Sequence, residues 1–144
     1  MGGVMDAVIN FGPGAVEAGL PVMIADIIKG NLSIKPQKQN DFNALNGNIY
    51  MLANDLGIGM TMAFEKGKLT VHSGKVGNPK ISISADSATL LDLANIDVKF
   101  GLPYLFDQVG KGVVKKFLNS QLKLEGLFTH SVMLIRFAKL MSVK

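Results

Sequence analysis

The spacing of apolar positions divides the chain into a short helical start, a β-rich middle and a helical end. Between residues 21 and 29, Ile24, Ile27 and Ile28 recur at helical intervals; Pro21 suits a first turn and Gly30 supplies a stop signal. From Asn46 the period shortens toward two. Residues 47–53 read as a short apolar strand. Residues 58–65 alternate Met60, Met62 and Phe64 against Thr61, Ala63 and Glu65, and residues 69–73 return after a Glu65-Lys66-Gly67-Lys68 hairpin turn. Residues 80–85 alternate Ile81 and Ile83 with serines, which predicts four antiparallel strands in all.

Helical spacing then resumes. Asp86 or Ser87 is a natural N-cap for residues 88–95, where Leu90, Leu91, Leu93 and Ala94 share a face. Residues 101–120 predict a second helical region with Leu102, Leu105, Phe106, Val109, Val113 and Phe117 in one stripe, divided by Gly110 and Gly112. Residues 121–126 read as a last strand with Leu122 and Leu124 on one side. Residues 1–19 form an expected N-terminal arm, helix-compatible from Val4 to Phe11 and broken by Gly12-Pro13-Gly14, and residues 20–144 form the expected domain. Most of 31–46, with Pro36 and few apolar anchors, reads as a connector.

The closing helix, residues 128–141, is the most apolar. It falls short of the about 20 residues that span a bilayer, and it contains Arg136 and Lys139. At 100° per residue those two cations share one narrow stripe, whereas Met133, Leu134, Phe137, Leu140 and Met141 take up most of the remaining circumference. Such a helix is buried on more than one side, or it closes something apolar.

Composition sharpens that choice. The chain is 48% apolar and only 18% charged over 144 residues, with a mean hydropathy of +0.30. Eight methionines and eight phenylalanines without tryptophan suggest soft, adaptable apolar walls. The absence of cysteine excludes disulfides, thiolate metal sites and thiol nucleophiles, and it suits a reducing compartment. No basic residue precedes Lys29, so the start of a secretory signal is missing and a cytoplasmic location is expected. The net charge of +4 comes from dispersed lysines and one arginine, without the Arg-rich, aromatic-interleaved clusters of nucleic-acid binders.

Chemistry-bearing patterns are absent. His72 and His130 have no metal-ligand spacing, no nucleophile elbow occurs, and Gly110-Lys111-Gly112 is not a phosphate loop. We therefore expect no catalytic residue, no metal and no cofactor. A meeting of His130, Ser131 and Asp107 in space is the one enzymatic arrangement left open. What remains is apolar volume: Met60, Met62, Phe64, Ile81, Ile83, Leu122 and Leu124 from strands, and Leu91, Leu105, Phe106, Val109, Val113, Phe117, Met133 and Phe137 from helices, are the candidate ligand-lining residues. The sequence does not separate a filled core from a hollow one, and periodicity alone favours the filled one.

The order of these elements resembles the sterol carrier protein type 2 family, in the form of a stand-alone, prokaryotic-type member. The likeness rests on GNIYMLAND at 47–55, MAFEKGKLTVHSGKVGNPKISISADSATLLDLA at 62–94 and QLKLEGLFTHSVMLIRFAKL at 121–140, and covers roughly residues 20–142. It implies an α+β fold: a five-stranded, mostly antiparallel sheet covered on one face by helices, enclosing an apolar tunnel for fatty acyl chains, phospholipids or sterols, without catalysis. The end Met141-Ser142-Val143-Lys144 departs from the family's peroxisomal signal. The expected function is non-enzymatic lipid carriage or presentation. The alternative is an interaction module whose C-terminal helix forms a homodimer or docks a partner. A transient contact with anionic membranes through Lys111, Lys115, Lys116, Arg136 and Lys139 is a further expectation.

Overall fold

The computed structural model describes residues 8–144. Its centre is the alternating region, where β2 (Gly47–Ala53), β3 (Ile58–Glu65) and β4 (Lys68–Ser73), preceded by β1 (Val8–Phe11) and followed by β5 (Ile81–Ala85), lie side by side. With β8 (Lys123–Glu125) they make one sheet in the order β1-β4-β3-β2-β5-β8. β3 pairs antiparallel with both β2 and β4, and β8 antiparallel with β5, but β2–β5 and β1–β4 are parallel. The sheet is thus six-stranded and mixed, not five-stranded and mostly antiparallel. The difference arises because residues 74–80 carry the chain across the sheet to the far side of β2. The Thr61 hydroxyl pins that crossing by donating to the Gly74 carbonyl (2.7 Å) and accepting from the Val76 amide (2.9 Å).

Register sets the core. Val71, Met62, Ile49 and Ile81 form one row across the sheet, and Met60, Met51, Ile83 and Leu124 another, all turned to the same face. Against that face pack α1 (Leu20–Ile34), α2 (Lys38–Ala44) and α5 (Ser131–Met141), with Ile24, Ile28, Phe42 and Phe137 buried in the same cluster. Phe42, Phe64 and Phe137 form an edge-to-face chain with ring centroids 5.9 and 6.2 Å apart. α3 (Ser87–Asp92) continues as a 3-10 turn (Leu93–Asn95), then comes an antiparallel ribbon of β6 (Asp97–Lys99) and β7 (Leu102–Tyr104), and then α4 (Gln108–Leu118).

Several local expectations are corrected. α1 runs through Gly30 because Ile28, Asn31 and Leu32 continue its buried face, while Gly30 faces open space; burial outweighs the modest cost of an interior glycine. The helix stops before Pro36, whose ring disfavours a helical Lys35. Part of the expected connector is α2, anchored by fully buried Phe42. The N-terminal segment is not helical at 8–11: those residues extend the sheet beside β4, and the Gly12 amide donates to the Val71 carbonyl at 2.8 Å. Residues Val4 to Ala7 of that expected helix lie outside the described residues. The predicted helix over 101–120 begins only at Gln108, where Asp107 caps it by accepting from the Gly110 amide at 2.7 Å. Gly110 and Gly112 do not divide it. As expected, Asp86 caps α3 through the Thr89 amide.

Candidate functional site

Where the sheet ends at β8, its apolar face is not covered by side chains alone. A pocket of about 480 Å³ opens between β5, β8, the ribbon, α4 and α5. Its walls are Ile83, Leu122 and Leu124 from the sheet edge, Leu93 and Ile96 from the 3-10 turn and beyond, and Leu102, Pro103 and Leu105 from the ribbon and its exit. Val113, Val114 and Phe117 of α4, then Leu127, then Leu134, Ile135, Phe137, Ala138 and Met141 of α5 close it. Every one of these side chains is apolar.

Two local devices hold the walls apart. At Gly110 a Cβ would lie 2.5 Å from the Leu105 Cα, so glycine lets the first turn of α4 press against the backbone leaving the ribbon. The other end of the pocket is set by α5, whose last carbonyls need donors. Asn31 Nδ2 donates to the Leu140 and Met141 carbonyls at 2.8 and 3.0 Å, and Lys38 Nζ donates to that of Lys139 at 2.7 Å and to that of Ser142. The Ser142 hydroxyl donates to the Ile96 carbonyl, and the Val143 amide to that of Ala94 at 2.7 Å. Burial lowers the Lys38 pKa to about 8, with Lys35 and Lys139 adding to the effect and Asp41 opposing it.

Asp41 also pairs with Lys139 (3.1 Å) and Arg136 (3.4 Å). The cationic stripe of α5 is therefore bound to α2, and its apolar stripe is turned to the pocket. This corrects the expectation that Arg136 and Lys139 join Lys111, Lys115 and Lys116 in facing a membrane.

Of the candidate lining residues, Ile83, Leu105, Val113, Phe117, Leu122, Leu124 and Phe137 surround the pocket. Met60, Met62, Phe64 and Ile81 do not: they belong to the close-packed core beneath the helices, because β3 and the start of β5 sit away from the open edge. Leu91 is half-buried on α3, and Val109 and Met133 pack partly exposed against the core. Phe106 points into solvent with its ring edge on Tyr104. Leu93, Ile96, Leu102, Pro103, Val114, Leu127, Leu134, Ile135, Ala138 and Met141 were missed. Some lay on stripes already recognised, but the ribbon residues were hidden by the helical reading of 101–120; Pro103 close after Gly101 was the available sign against it. The structure shows a pocket where the resemblance implied a tunnel.

The walls offer no group for acid–base or nucleophilic chemistry. Among the described residues, no three His, Asp or Glu side chains converge as a metal site. His130 precedes α5 and exposed Ser131 begins it, while the Asp107 carboxylate is engaged in capping α4. No helix among the described residues is long and apolar enough to cross a membrane.

No protein-family model and no curated protein sequence matches the chain. Solved structures do. The chain is similar to a UbiJ-SCP2 ubiquinone synthesis protein, with a TM-score of 0.56, 13% identity and coverage of 88% of this chain and 92% of that one. It is also similar to sterol carrier protein 2 from Yarrowia lipolytica in its apo form (TM-score 0.51, 18% identity, 85% and 91% covered). A further crystal structure of sterol carrier protein 2 matches with a TM-score of 0.51 and 10% identity, over 83% of this chain and 91% of that one. At these identities the likeness is one of architecture, and the chain has the fold of a sterol carrier protein 2 domain.

Proposed function

We propose that this chain binds a lipid by its hydrocarbon part and carries or presents it without changing it chemically. The observation that supports this reading is the all-apolar lining of a pocket of about 480 Å³. At roughly 30 Å³ for a water-sized group, that volume holds about 16 such groups, the scale of a fatty acyl chain. Water gains nothing there, because a water needs two to four polar partners and the walls supply none. The head group of the ligand stays at the mouth, in solvent. Structural neighbours named for sterol carriage and for ubiquinone synthesis support an apolar ligand in this fold.

The interaction-module reading needs an apolar face of α5 turned outward. Phe137, Leu140 and Met141 are buried, and Leu134, Ile135 and Ala138 face the pocket, so most of that face is used inside the chain. The test is binding of a fluorescent fatty acid to delipidated protein, together with native mass spectrometry of the protein as purified. One lipid per chain, displaced by unlabelled fatty acid, is the expected result. Protein that takes up no fatty acid and carries no lipid defeats the proposal.

A further inference from the structure

The ribbon that forms one wall of the pocket ends in a turn that the fold itself does not explain. Lys99 pairs with Leu102, so Phe100 and Gly101 are the two central residues of a tight hairpin, with φ of 56° and 74°. A two-residue turn of this hand takes asparagine, aspartate or glycine at its first central position, because a larger side chain at positive φ is strained. Here that position holds phenylalanine, and its side chain is fully exposed, at 102% of its reference area. Backbone strain and apolar exposure fall on one residue that contacts nothing to offset them. Such a combination marks a surface made for something outside the chain.

The tip does not stand alone. Leu102, Leu105 and Phe117 line the pocket yet remain exposed, and Phe106 and Leu118 are both 74% exposed nearby along the chain. Lys99 adjoins the tip with its ammonium 4.1 Å from the Tyr104 ring centroid, and Lys111 and Lys115 lie one turn apart on the solvent side of α4. Among the described residues none of these three lysines is in an ion pair. Exposed apolar side chains on the ribbon and α4, the two elements that line one pocket, together with Lys99 at the tip and solvent-facing lysines on α4, fit a surface that is hydrocarbon a few ångströms below an anionic layer.

We infer that the β6–β7 ribbon is a membrane wedge: Phe100 inserts into an anionic lipid surface, with Lys99, Lys111 and Lys115 at the head groups, and brings the pocket mouth against the hydrocarbon. This rests on the lipid-binding reading and names the partner from which the pocket is filled.

The decisive variant is Phe100→Asn. Asparagine relieves the turn, so the free protein melts at a higher temperature, whereas partition onto vesicles of phosphatidylcholine mixed with phosphatidylserine falls about tenfold or more. A residue of merely structural value moves the two readouts in the same direction. Depth is read separately: because the chain has no cysteine, an environment-sensitive dye on the Phe100→Cys variant reports one site. Its emission should brighten and shift to the blue with anionic vesicles and much less with pure phosphatidylcholine, while the same dye on Leu56→Cys, another exposed apolar site, stays unchanged. Uptake of free fatty acid by Phe100→Asn in the absence of vesicles should equal that of wild type, which separates this wedge from the pocket. Vesicle binding by Phe100→Asn equal to wild type, or a dye at position 100 that stays in water, overturns the inference even if the pocket binds lipid. Insertion at position 100 by a protein that takes up no fatty acid supports the wedge and removes the carrier reading instead.

Discussion

Filling the pocket should abolish long-chain binding without unfolding the protein, and Ala138→Trp is the substitution that does so. Ala138 lies on the pocket side of α5, in the middle of the wall. Tryptophan adds roughly 140 Å³ over alanine. Against the cavity of about 480 Å³ this leaves roughly 340 Å³, space for about 11 water-sized groups instead of about 16. Excluding about five methylenes at ~0.8 kcal/mol each removes up to ~4 kcal/mol of transfer free energy. Long-chain affinity should therefore fall by up to about a thousandfold, and shorter chains should suffer less. Folding should respond differently, since overpacking costs about 1–3 kcal/mol only where the space is already full. We expect Ala138→Trp to lie within about 1 kcal/mol of wild type, and Ala53→Leu, at a fully buried position of the solid core, to lose that overpacking penalty. Urea denaturation gives both numbers. The chain has no other tryptophan, so the emission of the new residue also reports whether its site is dry. A variant that binds long-chain fatty acid like wild type, or that unfolds as readily as Ala53→Leu, would refute the assignment of this space as a ligand pocket.

Three further substitutions probe the supports of that pocket. Gly30→Ala, in the interior of α1 and facing open space, should raise stability by about 0.8–1 kcal/mol in urea; a loss would mean that the glycine serves some close contact. Gly110→Ala should cost about 2 kcal/mol or more and weaken fatty-acid binding, because its Cβ meets the Leu105 backbone; unchanged midpoints would disprove the close approach of α4. Lys38→Met keeps the packed stem and removes the ammonium from the end of α5. In wild type, folded Lys38 releases its proton near pH 8 and the unfolded lysine near 10.5, so between those values the unfolded chain holds more protons and stability rises with pH. The advantage of wild type over Lys38→Met should thus grow from pH 7 to pH 10, and a difference that stays flat or shrinks contradicts the lowered pKa.

Strands β2 to β5 were legible to within a residue or so because alternation, a Gly67 hairpin and the Asp86 cap are local signals, each acting over a few residues. The same holds for the apolar stripe of α5 and the two cations beside it. By itself the sequence thus determined strands β2 to β5, the leucine strand at β8, the stripes of α1, α3 and α5, and the lack of catalytic motifs. Tertiary structure decided what depends on distant neighbours. β1 is a strand only because the edge of β4 offers hydrogen bonds, and β5 lies parallel to β2 only because residues 74–80 cross the sheet. α2 has too few apolar residues to announce itself, yet Phe42 finds Phe64 to pack on. Residues 101–107 read as the start of the helix that in fact begins at Gln108, but the Phe100-Gly101 turn folds Leu102–Tyr104 back on Asp97–Lys99 as a ribbon instead. Whether apolar faces meet or stand apart is likewise not a local property. Ile81 and Ile83 are two residues apart on one strand and read alike, but one is sealed beneath helices and the other opens on the pocket, because α4, α5 and the ribbon are held off the sheet edge by contacts formed far from either residue.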